Sequence, residues 1–269
     1  MIAFAKGHAY GNDFLYVSQS AARGRTLARL AQELCDRHTG IGADGLILYA
    51  RTADGASMSL LNADGSLAEV SGNGLRGLAA LLLRHEARPG AEVTIHTGAG
   101  SKRLRRIGGS DTRPLFRAAM GLPTDLRQTW ITAGGESIEA AVLNIGNPQC
   151  VVIGRLPDEE RFRRLGAALE HHGMFPAGTN VEFADIEAPD RVRILIWERG
   201  CGPTASSGTG SCAALVAAAA FGGAARDAEI VAPGGAQRVE WLEDNVYLTG
   251  WAEIVCVGQW LRPSPTTEL

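Results

Sequence analysis

Two stretches decide how this chain reads: "EVSGNGLRG" at 69–77 and "ASSGTGSCA" at 205–213. Each places a serine before Gly-x-Gly and then runs into an almost wholly apolar segment, "LRGLAALLLRHE" (75–86) or "SCAALVAAAAFGG" (211–223). A helix that is apolar around its whole circumference must be buried, here by strands. Serine is a favoured N-cap, because its hydroxyl accepts from a free amide of the first turn. The glycines let backbone N–H groups come close to a ligand, at the end of the helix dipole that favours negative charge. Two such ends sharing one cleft suit a small anion, most simply a carboxylate. On local sequence alone, each serine can be a cap or a proton-handling group.

The likeness between the two stretches extends along the chain. "YGNDFLYV" (10–17) matches "IGNPQCVV" (145–152), and "NADG" (62–65) matches "WERG" (197–200), both at an offset of 135. At 136, "GIGADGLI" (40–47) falls on "PAGTNVEF" (176–183), Ser71 on Ser207, and "TGAGSKRL" (97–104) on "PGGAQRVE" (233–240). Five matches in order at nearly one offset imply two similar halves. We place them at 1–125 and 126–269, with the C-terminal tail able to return to the first half. Each half reads alike. An extended segment ("FLYVSQ"; "CVVIGR") leads to an amphipathic helix, "TLARLAQELCDRHTG" with Gly40 as its stop, or "PDEERFRRLGAALEHHG" with an acidic first turn. A β run, the serine-glycine turn, the central helix and further short strands follow. The fold class expected is α/β: two pseudo-equivalent halves, each a curved, mostly antiparallel sheet wrapped around a central buried helix. Related halves packed about a pseudo-twofold axis would aim both central-helix N-termini at one cleft.

Composition narrows the function. The 269 residues carry 26 basic and 29 acidic side chains, a net charge of −3, which argues against a nucleic-acid partner. The apolar stretches are too short to cross a bilayer and the first residues contain no signal-like apolar region, so we expect a cytoplasmic protein without a membrane partner. Five cysteines without CxxC spacing and scattered histidines give neither a disulfide framework nor a metal site, and no cofactor is expected. The serine turns lack the Gly-x-Ser-x-Gly elbow and the lysine of a phosphate-binding loop. Asp13, Asp44 and Asp64 read as turn-formers, and Asn12 and Asn62 suit turns as well.

Eight motifs, in order, resemble the diaminopimelate epimerases: "GNDF" (11–14), "RHTGIGADGL" (37–46), "NADGS" (62–66), "SGNGLR" (71–76), "GNPQCV" (146–151), "GTNVEF" (178–183), "WERGCGPT" (197–204) and "SGTGSCAA" (207–214). Members of that family invert one α-carbon of diaminopimelate without a cofactor. The resemblance implies the two-halved fold, a site between the halves, a small amino-acid substrate and a homodimer. It implies that Ser71 and Ser207 occupy the positions of the two cysteines that remove and return the α-proton. Glu198, Asn12 and Asn147 would help fix the reacting end, and Asn62, Asn180 and Arg199 the distal end. Amides near Gly72, Asn73, Gly208 and Thr209 would hold the reacting carboxylate.

The departures are chemical. Gln149, carried into the substrate-binding set, stands where the family has histidine; Pro203 replaces a glutamate and Gly77 a cysteine. A free thiol ionises near pH 8.5, whereas an alcohol is a far weaker acid. Each further unit of pKa adds about 1.4 kcal/mol to making the base. The resemblance therefore implies an epimerase of this family with weakened thiol-type chemistry. Two other readings stand beside it: a proton-transfer isomerase or dehydratase for another carboxylate, and a non-catalytic amino-acid-binding paralogue.

Overall fold

In the computed structural model, which describes residues 1–68, 71–86, 88–98 and 100–261, two runs of elements repeat. The first contains β1 (Ile2–Ala9), β2 (Asn12–Ser18), α1 (Leu27–Cys35), β3 (Gly45–Thr52), β4 (Gly55–Asn62), β5 (Leu67–Ala68), α2 (Gly72–Leu82), β6 (Glu92–Thr97), β7 (Gly100–Gly109) and β8 (Pro114–Gly121). The second contains β9 (Thr124–Ala133), β10 (Glu136–Asn144), β11 (Pro148–Ile153), α3 (Glu159–Glu170), β12 (Asn180–Ala188) and β13 (Arg191–Glu198). It continues with β14 (Gly202–Thr204), α4 (Gly208–Phe221), β15 (Asp227–Ala232), β16 (Gly235–Trp241), β17 (Val246–Trp251) and β18 (Glu253–Trp260).

Pairing repeats with the elements. β2 and β3 run parallel, as do β4 and β6; their counterparts β11–β12 and β13–β15 are parallel too. Every other strand pair is antiparallel among the described residues. β9 lies on β10 as β18 lies on β1, so the last strand of the chain sits on the sheet that the first strand begins. β8 pairs with β17 and joins the two sheets. The expected boundary at residue 126 falls within β9.

Burial follows the apolar runs. Every residue of α4 from Gly208 to Ala218 is buried, and so is α2 from Gly72 to Ala80. Both helices share one apolar core, while α1 and α3 each cover the outer face of a sheet with a smaller cluster. No helix among the described residues is long and apolar enough to cross a membrane.

One local feature differs from the sequence reading and another gains a physical reason. α1 ends at Cys35 rather than Gly40. The Asp36 carboxylate accepts from the His38 and Thr39 amides at 2.8 and 2.5 Å, and this local turn outcompetes another helical turn. Gly77 has a packing reason: a β-carbon there would lie 1.8 Å from the Tyr16 hydroxyl, which is buried and donates to the Gly74 carbonyl at 3.3 Å. Gly77→Cys should therefore destabilise the protein by about 1–3 kcal/mol, the usual penalty for overpacking a core. Tyr16→Phe in the same chain should recover part of that loss. Urea midpoints of the single and double variants check this, and an unchanged midpoint in Gly77→Cys removes the steric account.

Candidate active site

α2 and α4 meet head to head. A β-carbon on Gly72 would lie 3.2 Å from the Gly208 Cα, and one on Gly208 would lie 3.1 Å from the Gly72 Cα. Only glycine allows that approach. Ser71 and Ser207 precede these glycines in extended backbone, and each Oγ accepts from the amide three residues on, Gly74 or Gly210, at 3.1 Å. Both serines are caps. Capping occupies a lone pair and leaves each hydroxyl proton free to donate.

A cavity of about 580 Å³ opens beside this junction. Asn12, Arg37, Asp44, Asn62 and Ser71 line it from the first run of elements, and Glu198 and Cys201 from the second. Burial pushes the Glu198 carboxyl above its ordinary range, and the Asp44 charge adds to the effect. Asp44 accepts from the Asn12 amide at 2.8 Å and pairs with Arg37 at 2.8 Å. Asp13 and Asp44 also cap each other's backbone amides, both at 3.0 Å. The turn reading does not hold for Asp13, which lies in β2 and bonds Asp44 from 31 residues away, and Asp44 is also part of the cavity wall.

The remaining expected residues gather around the start of α4. The Asn147 amide reaches the Thr209 hydroxyl at 3.5 Å. Asn180 Oδ1 accepts from the Arg199 backbone amide at 2.9 Å, and the Arg199 guanidinium donates to the Ala177 carbonyl at 3.1 Å. Gln149 Nε2 donates to Asn147 Oδ1 at 2.6 Å, and its other amide atom lies 3.0 and 3.1 Å from the two Glu182 oxygens. Ser207 is 7 % exposed and lies outside the cavity wall that Ser71 helps form. The two serines thus share a junction but differ in access.

Asn73 ties the two groups together. Its amide donates to Asn12 Oδ1 and to the Ser206 carbonyl, both at 3.2 Å. Its own oxygen accepts from Arg76, which also donates to Gln237 Oε1 at 2.7 Å. Burial lowers the fully buried Arg76 guanidinium to about 10. Sequence reasoning did not single out Arg37, Arg76, Glu182, Cys201 or Gln237. For Glu182 a signal existed: it is a charged residue inside an otherwise apolar strand motif, "VEF" (181–183).

The capped pair of helix N-termini beside a polar cavity, held by two repeated sheets, is built on a two-halved fold that solved racemase, epimerase and isomerase structures share. A solved hydroxyproline epimerase from Agrobacterium vitis shares that fold at a TM-score of 0.71 and 18 % identity, covering 96 % of this chain and 91 % of its own. The sequence goes further. The diaminopimelate epimerase profile matches residues 4–109 and 141–255. The diaminopimelate epimerase of Desulforudis audaxviator is 37 % identical, covering 96 % of this chain and 99 % of the relative. That of Synechococcus elongatus is 35 % identical, covering 96 % and 97 %. The chain belongs to the diaminopimelate epimerase family.

Proposed function

We propose that the cavity binds diaminopimelate or a similarly long amino acid, and that the protein inverts its α-carbon by taking a proton from one face and returning one to the other. Ser71 and Ser207 serve the two faces. Glu198 and Asn12 hold the reacting end, and the amides that open α2 and α4 bind its carboxylate. Asn62, Asn180 and Arg199 take the distal end. The observation that carries the reading is the abutment of two hydroxyl-capped helix N-termini at Gly72 and Gly208. Such ends concentrate free N–H groups and positive potential where a carboxylate must sit while its neighbouring carbon gains negative charge.

The test is exchange of the α-proton of diaminopimelate in deuterated water, followed by proton NMR. Loss of the α signal at a rate proportional to protein supports the reading, and an unchanged signal at high protein concentration overturns it. Binding is measured alongside by calorimetry. Arg199→Ala should weaken diaminopimelate at least about tenfold, because a charge-assisted bond to a carboxylate is worth about 1.5–3 kcal/mol. Equal affinity in the variant removes Arg199 from the distal-end set. The serines favour a second reading, that of a binding protein that has given up catalysis. Tight binding without any exchange would select it.

A further inference from the structure

The two runs of elements provide an internal comparison. β12 runs parallel to β11 with Asn180 opposite Gln149, as β3 runs parallel to β2 with Gly45 opposite Phe14. These registers set Ile47 on Glu182, an offset of 135 where the sequence reading of this stretch gave 136, so the first run carries Phe14 and Ile47 where the second carries Gln149 and Glu182. The local contacts agree. A β-carbon on Gly74, in the first turn of α2, would lie 2.7 Å from Ile47 Cδ1. One on Gly210, in the first turn of α4, would lie 2.5 Å from Glu182 Oε1. The fold fills this position with isoleucine in one half, so packing does not call for an acid in the other.

Glu182 is 0 % exposed, and among the described residues no lysine or arginine pairs with it. A buried carboxyl without a cationic partner is expensive in its ionised form. The same missing side chain at Gly210 leaves both groups facing one point, with Ser207 Oγ 3.1 Å and Glu182 Oε1 2.5 Å from it and no hydrogen bond yet made between the two oxygens. Gln149, standing where the family has histidine, gives its Nε2 to Asn147 Oδ1 and turns its other amide atom to both carboxyl oxygens at 3.0 and 3.1 Å, where a protonated Glu182 donates to an oxygen.

Building on the epimerase reading above, we propose that Glu182 is the proton reservoir of the second face and acts through the Ser207 hydroxyl. In the donating direction, the electron pair of the α-carbanion takes the Ser207 hydroxyl proton to form the C–H bond. Ser207 Oγ takes the proton of the Glu182 acid at the same time, and Glu182 is left as carboxylate. The reverse sequence removes a proton from that face. Ser207 never has to exist as a free alkoxide, so the weak acidity of an alcohol no longer sets the barrier. Burial and the charge of Glu198 hold the Glu182 carboxyl well above its ordinary range, which favours its protonated form. A buried acid kept neutral in order to donate is an established way for a site to work at pH 7.

Glu182→Ile, which copies the first half, and Glu182→Gln test the relay. Both should fold with wild-type or higher thermal stability and bind diaminopimelate within about threefold of wild type. Both should lose at least about a hundredfold in α-proton exchange, the low end of what general acid–base catalysis contributes. The acid also gives the wild-type rate a limb that falls as pH rises through the raised Glu182 pKa. The titratable groups interacting with Glu182 are Glu198 from β13 and Cys150 from β11, and both remain in the variants. The falling limb should therefore disappear in Glu182→Gln alone. Undiminished exchange in Glu182→Ile overturns the relay and leaves the epimerase reading standing. A loss of exchange matched by an equal loss of binding or stability also overturns it, because the residue would then be structural. Absence of exchange in the wild-type protein overturns the epimerase reading, and the relay with it.

Discussion

Ser71→Cys and Ser207→Cys introduced together should raise α-proton exchange on diaminopimelate by at least about a hundredfold, and either change alone should raise it less. The two positions occupy equivalent places, each an N-cap one residue before a glycine that touches its opposite number. A thiol with an ordinary pKa of about 8.5 is easily brought near the working pH by a helix N-terminus, and general acid–base catalysis is most efficient there. Two faces need two groups. A single thiol takes a proton without a matched donor opposite, so the gain should be more than additive. The doubly substituted protein should also depend less on Glu182, since a thiol at 207 carries its own labile proton. Exchange rates of the four serine and cysteine combinations, with and without Glu182→Ile, measure both effects. If the double variant is no faster than the parent, the serines do not mark the two faces, and the site assignment fails.

Gly208→Val should abolish both binding and exchange and lower the melting temperature by about 6–12 °C. The β-carbon alone would meet the Gly72 Cα and a Leu248 methyl at 3.1 Å each. The Gly72 neighbour is backbone, fixed by its own buried helix, and cannot swing aside as a side-chain tip can. Valine adds two methyl groups to that contact, which puts the penalty near the upper end of the 1–3 kcal/mol typical of overpacking. For a chain of this size each kcal/mol shifts the midpoint by about 2–4 °C. Gly173→Ala is the control, because nothing lies within 4 Å of a β-carbon there and its backbone is not left-handed. Scanning calorimetry of the two variants separates the cases. A Gly208→Val protein that melts with the wild type and still binds diaminopimelate would show that the helix junction is not required.

What the sequence alone determined was local or repeated. Serine capping as one reading of the two turns, the apolar central helices and the succession of extended and helical segments follow from residues a few positions apart, because capping, turn and periodicity are short-range effects. The duplicated halves were legible because one offset recurs along the chain. Gly40 was misread as the end of α1, since Asp36 offered the backbone a competing turn that composition does not advertise. Tertiary structure decided what lies next to what. Asn73 meets Ser206 across 133 residues and Arg76 meets Gln237 across 161. Ser71 lines the cavity, whereas Ser207 is buried at the helix junction. Glu182 stands out from the other residues of its strand only because Gly210, on another element, leaves a space that both its carboxyl and the Ser207 hydroxyl face. Such pairings depend on how sheets curve around buried helices, and that geometry is set by packing over the whole core rather than by any short stretch of chain.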